Sequence, residues 1–148
     1  MMSKKVYLER LMSTNGPINK KIILTGEVLW SYDYELLERT SLREIASHFS
    51  GVSPFHAHQG EISLMSDRII FRDESELTIS LTDLEQLYMG FDDNFPGSSV
   101  KNFGLFWQPL RLTLCSGQQL YLIIDYNVLG SKNQLWFDTI KIILEDRY

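Results

Sequence analysis

From Phe55 onward, apolar and polar residues alternate with the two-residue period of strands that bury one face. Ile62 and Leu64 alternate with Glu61 and Ser63, Ser66-Asp67 marks a turn, and Arg68 to Phe71 resumes the run, which predicts a β-hairpin. Leu77, Ile79 and Leu81 alternate with Thr78 and Ser80 as a further strand with one solvated face. Asp83 to Phe91 reads as a strand in preference to a helical turn, and Asp92 to Lys101, rich in turn formers, reads as a loop. Leu110, Leu112 and Leu114 alternate with Arg111 and Thr113. Ser116-Gly117 then supplies a tight turn into the nearly all-apolar run Leu120 to Ile124, forming a second hairpin.

Before Phe55 the pattern is mixed. Residues 22 to 30 are β-rich and interrupted by Gly26, which predicts a first strand with a bulge at that glycine. Ser41-Leu-Arg-Glu44 has capping-box spacing, with Leu42, Ile45 and Phe49 at helical intervals before Gly51, so a helix is expected over 42–50. A short helix over Lys5 to Met12 would stop at Asn15-Gly16-Pro17. At the other end, Ser131-Lys-Asn-Gln134 repeats the capping-box spacing, and Trp136, Ile140, Ile143 and Leu144 define one apolar helix face. The expected architecture is mainly β with some α: an antiparallel bent sheet or partly open barrel of about seven strands, capped by a C-terminal amphipathic helix. Residues 1–17 read as an N-terminal extension and 18–148 as the domain.

The order of these elements resembles the pleckstrin-homology-like superfold, in particular its GRAM-type and bacterial members. The segment Gly60-Glu-Ile-Ser-Leu-Met-Ser-Asp-Arg-Ile-Ile-Phe71 carries the resemblance: glycine, alternating strand, turn, arginine, apolar strand and phenylalanine. Leu81-Thr-Asp-Leu84 is similar to the family's apolar-x-x-apolar segment after the fourth strand, and Trp136 stands where such domains place a core aromatic on the last helix. Met65 replaces a common threonine, and the 42–50 helix is an insertion. The resemblance spans roughly residues 22 to 145, and its motifs mostly encode packing. It implies seven strands, a C-terminal helix plugging the barrel, and adaptor roles. Lipid-binding members concentrate basic residues between the first two strands, whereas this chain has Arg39 and Arg43 amid Glu35, Glu38 and Glu44.

Composition narrows the function classes. The chain has 148 residues, 44% of them hydrophobic, a globular balance able to bury a core without metals or disulfides. Cys115 is the only cysteine, and the opening residues lack a secretory apolar region, so a cytoplasmic setting is the expectation. The net charge is −5, but Lys4, Lys5, Arg10, Lys20 and Lys21 against Glu9 leave +4 within residues 1 to 21 and −9 beyond. An acidic body repels phosphate backbones, which argues against nucleic-acid binding.

Few residues suggest chemistry. His56-Ala-His58 would place two imidazoles on one strand face, a spacing compatible with metal binding, but two ligands fall short of the usual three or four. There is no nucleophile elbow, phosphate loop or dinucleotide glycine pattern. Asp92-Asp93 and Asp73-Glu74 sit in expected turns, where solvated charge is the ordinary explanation, and Cys115 reads as a buried or edge thiol. Neither a catalytic site, a metal nor a cofactor is expected. In Phe103 to Leu110, Phe103, Leu105 and Trp107 would point one way and Phe106 the other. Either the N-terminal segment or the 42–50 helix covers the second face, or Phe91, Phe95, Pro96, Phe106 and Trp107 form a surface for a protein partner or a second copy. The alternative is peripheral membrane contact through Lys4, Lys5, Arg10, Lys20 and Lys21, with Tyr7, Leu8 and Leu11 inserting.

Overall fold

The computed structural model describes residues 21–37, 54, 56–97, 106–127 and 129–146. The expected helices over Lys5 to Met12 and 42–50, and the extension 1–17, lie outside these residues. Among the described residues, no helix is long and apolar enough to cross a membrane.

β1 (Ile22–Tyr32) leads into a one-turn helix α1 (Asp33–Leu37), followed by β2 (His58–Met65), β3 (Arg68–Arg72) and β4 (Glu76–Ser80). A 3-10 turn over Leu81–Asp83 precedes β5 (Leu84–Met89), then come β6 (Leu110–Leu114), β7 (Gln119–Ile124) and the closing helix α2 (Asn133–Glu145). The strands form a single antiparallel sheet in the order β4-β3-β2-β1-β7-β6-β5, curled into a half-barrel. β1 is the joint between its halves: Ile22 to Trp30 pair with β2, while Val28 to Tyr32 pair with β7. Both expected hairpins are present, and the ambiguous segment after Asp83 is strand β5.

The glycine in β1 has a different role from the one its sequence suggests. The register shifts between Ile22 and Leu24, whereas Gly26 pairs regularly with Ile62. A Cβ at Gly26 would lie 3.0 Å from an oxygen of the Asp125 carboxylate, which accepts a 2.9 Å hydrogen bond from the Glu27 N–H. Gly26 therefore makes room for this carboxylate and is no bulge. At Gly60 the constraint is tighter, because a Cβ would sit 2.1 Å from the Arg72 carbonyl oxygen across the β2–β3 pair.

Strand alternation gives the sheet two apolar faces. On one, Val28, Trp30, Ile62, Leu64, Ile69, Phe71, Leu110, Leu112, Leu120, Leu122 and Ile124 pack with Trp136, Ile140 and Ile143 of α2. Each such side chain contributes roughly 1.5–3 kcal/mol on burial, so this face dominates the fold's stability. The C-terminal helix and its apolar face are as expected, but the capping box does not form. The Ser131 hydroxyl accepts only from the Asn133 N–H at 3.3 Å, and Gln134 donates onward to Asp138 at 2.9 Å. Asn133 anchors the helix start instead. Its carboxamide donates to the carbonyls of Gln108 (2.7 Å) and Leu122 (3.0 Å) and accepts from the Ile124 N–H (2.8 Å). A fully satisfied buried amide is a stronger positional tie than an exposed cap.

Candidate functional site

On the opposite face of β7, Tyr121 and Ile123 form a second cluster with Leu36, Phe95 and Trp107, flanked by Leu29, Phe91 and Tyr126. Trp107 meets Phe95 edge-on at 6.1 Å and Tyr126 at 5.9 Å, and Phe95 stacks on Tyr121 at 6.0 Å. Four of the five aromatic-segment residues therefore have packing partners or partial burial. Phe95 and Trp107 are buried, Phe91 packs on them, Pro96 is half-buried, and Phe106 alone stands exposed, at 48%. Phe106 and Trp107 differ in burial, the first exposed and the second buried, while Phe103 and Leu105 lie outside the described residues. Within these residues the cover on this face comes from α1 and the loop after β5. The α1 contribution escapes sequence reading because five residues cannot display a helical period.

A polar node fastens that loop. Asp92 Oδ2 accepts from the Tyr121 hydroxyl at 2.6 Å and from Arg111 Nη1 at 2.7 Å, while Oδ1 accepts from the N–H groups of Phe95 (2.9 Å) and Asn94 (3.0 Å). Tyr88, Arg111 and Tyr121 are successive cross-strand partners on β5, β6 and β7, and the Arg111 guanidinium lies 4.5 Å over the Tyr88 ring. Burial pushes the Asp92 carboxyl up, but the hydrogen bonds from Tyr121, Arg111 and Phe95 outweigh it and leave the group below its ordinary value. Burial, then the hydrogen bond to Asp92, pushes the Tyr121 hydroxyl up to about 12. Asp92 is thus a structural anchor and not the solvated turn charge its neighbours suggest. Asp93, Asp73 and Glu74 are exposed.

The two histidines do not share a strand. His56 precedes β2 and its Nδ1 lies 2.9 Å from the Pro54 carbonyl oxygen. His58 opens β2, stacks on Trp30 at 4.2 Å, and its Nε2 lies 2.8 Å from Glu35 Oε1. The same Glu35 oxygen accepts from the Tyr32 N–H at 2.9 Å, so the carboxylate partner that the sequence leaves unplaced comes from α1. Among the described residues, no group of three or more His, Cys, Asp and Glu side chains converges to hold a metal ion. Cys115 is exposed in the β6–β7 turn, not buried. Of the basic set, Lys21 is exposed ahead of β1, and Lys4, Lys5, Arg10 and Lys20 lie outside the described residues.

A more apolar opening among the described residues lies elsewhere. A groove of about 620 Å³ runs between β5 and α2, floored by Leu87, Phe137 and Leu144 and lipped by Lys141 and Glu145. It arises where the sheet curls but does not close. β5 is an edge strand that, among the described residues, pairs only with β6, and α2 packs against it. Phe137 and Leu144 flank the Trp136–Ile140–Ile143 stripe, so the helix presents more apolar surface than the sheet covers. That extra width was the available sequence signal. No protein-family model matches the chain, and no curated protein matches it in sequence.

Proposed function

We propose that this chain is a non-catalytic binding module that engages a protein through the groove between β5 and α2. The observation that carries the reading is the half-buried apolar floor of Leu87, Phe137 and Leu144 beside a sheet edge without a second strand partner among the described residues. An edge strand offers backbone donors and acceptors to an incoming segment, and an adjoining apolar trough adds side-chain affinity. The resemblance to pleckstrin-homology-like adaptors and the acidic net charge support the same class. The aromatic set Phe91, Phe95, Pro96 and Trp107 then serves packing, and Phe106 is the member available to a partner.

Selection of short random peptides on the immobilised protein tests this. Binders should be recovered on the wild-type protein and lost on a folded Leu144→Asp variant. Binders that retain affinity for Leu144→Asp would overturn the placement.

A further inference from the structure

We infer that the occupant of this groove is a second copy of the same chain, related by a two-fold axis. The inference rests on reading the groove as a binding face and names its partner. Lys141 and Glu145 stand one helical turn apart on the groove's lip, both exposed. They form no ion pair with each other or with any other described residue. Lysine placed N-terminal to glutamate at this spacing is the weaker orientation for an intrahelical pair, so both charges are left for an external partner.

A two-fold axis crossing α2 between these residues sets two α2 helices antiparallel. Lys141 of each copy then faces Glu145 of the other, giving two equivalent ion pairs, the self-complementarity that an isologous interface requires. The same operation brings the Leu144 side chains of the two copies together at the axis, covering the centre of the apolar floor that a lone chain exposes, while Phe137 lies about 9 Å along the helix from it. Two opposite charges flanking an apolar centre match the usual interface plan of apolar core and polar rim.

Sedimentation equilibrium of the full chain over a range of concentrations tests the pairing, with circular dichroism confirming that each variant is folded. The wild type should show a concentration-dependent dimer. Leu144→Asp should raise its dissociation constant by more than about tenfold, as loss of a central apolar anchor does. Lys141→Glu and Glu145→Lys should each weaken it about threefold to tenfold by setting like charges opposite, and the double swap should restore it. Failure of the double swap to restore a weakened dimer would overturn the two-fold arrangement. A monomer at all concentrations would overturn the inference, while peptide binders lost on Leu144→Asp would leave the groove reading standing. A dimer untouched by Leu144→Asp, with peptide binding equally untouched, would overturn both.

Discussion

Tyr121 donates its hydroxyl hydrogen to Asp92 Oδ2 at 2.6 Å, and this bond ties the loop after β5 to the face of β7 that α2 does not cover. Tyr121→Phe keeps the ring that stacks on Phe95 and removes the hydroxyl, with its short bond to Asp92 and its longer contacts to Gln119 (3.3 Å) and Asn94 (3.5 Å). Urea unfolding should show a loss of about 1.5–3 kcal/mol, the range for a hydrogen bond to a charged group. An unchanged midpoint would mean the bond is dispensable.

The same pair sets a pH dependence with two limbs. The Tyr121 hydroxyl is raised from 10.0 to about 12, so its contribution is fully present below pH 10 and fades as pH rises through about 12. Asp92 lies below its ordinary 3.8, so its contribution is present above that value and fades as pH falls through the lowered one. Stability curves of Tyr121→Phe should therefore fall less steeply on the alkaline side than those of the wild type. Parallel alkaline limbs would contradict the assignment.

Neighbouring aromatics should behave oppositely. Trp107, 9% exposed among Phe91, Phe95 and Tyr126, should cost about 3–5 kcal/mol on truncation to alanine. Phe106→Ala, at an exposed position, should stay within about 0.5 kcal/mol. Thermal melts of the two variants side by side decide it, and equal losses would refute the packing described.

Glu35 holds the Tyr32 N–H and the His58 ring through one oxygen. Glu35→Gln preserves an acceptor there and Glu35→Ala does not. Amide exchange at Tyr32 should accelerate about tenfold to a hundredfold in the alanine variant, by the worth of a bond to a charged acceptor, and change much less in the glutamine variant. Equal protection in both would remove Glu35 from the role.

Gly60→Ala should be markedly worse than Gly26→Ala. At Gly60 the obstacle is the Arg72 backbone carbonyl at 2.1 Å, and only a shift of β3 relieves it, at a cost of about 1–3 kcal/mol or more. At Gly26 the nearest atoms belong to the Asp125 side chain, which can turn aside at the loss of its bond to Glu27.

What the sequence reveals depends on how far apart the interacting residues lie. The β2–β3 and β6–β7 hairpins are legible because alternation and turn chemistry are local, and Trp136, Ile140 and Ile143 mark the helix for the same reason. Gly26 reads as a bulge because its actual constraint, the Asp125 carboxylate, comes from the far end of the domain. Asp92 reads as solvated because Arg111 and Tyr121 lie 19 and 29 residues away. The groove depends on α2 meeting a sheet edge that lies about fifty residues earlier in the chain, which no periodicity encodes. Only the extra width of the helix's apolar stripe hints at it.

The groove between β5 and α2 is the proposed binding face. Its most direct test is an amide chemical-shift map of the labelled protein, recorded as a selected peptide binder is added. Shifts should concentrate on β5 around Leu87 and on α2 from Phe137 to Glu145, with β3 and β4 silent. Shifts centred on β3 and β4, or on the loop carrying Phe95, with the β5–α2 groove unmoved, would contradict it.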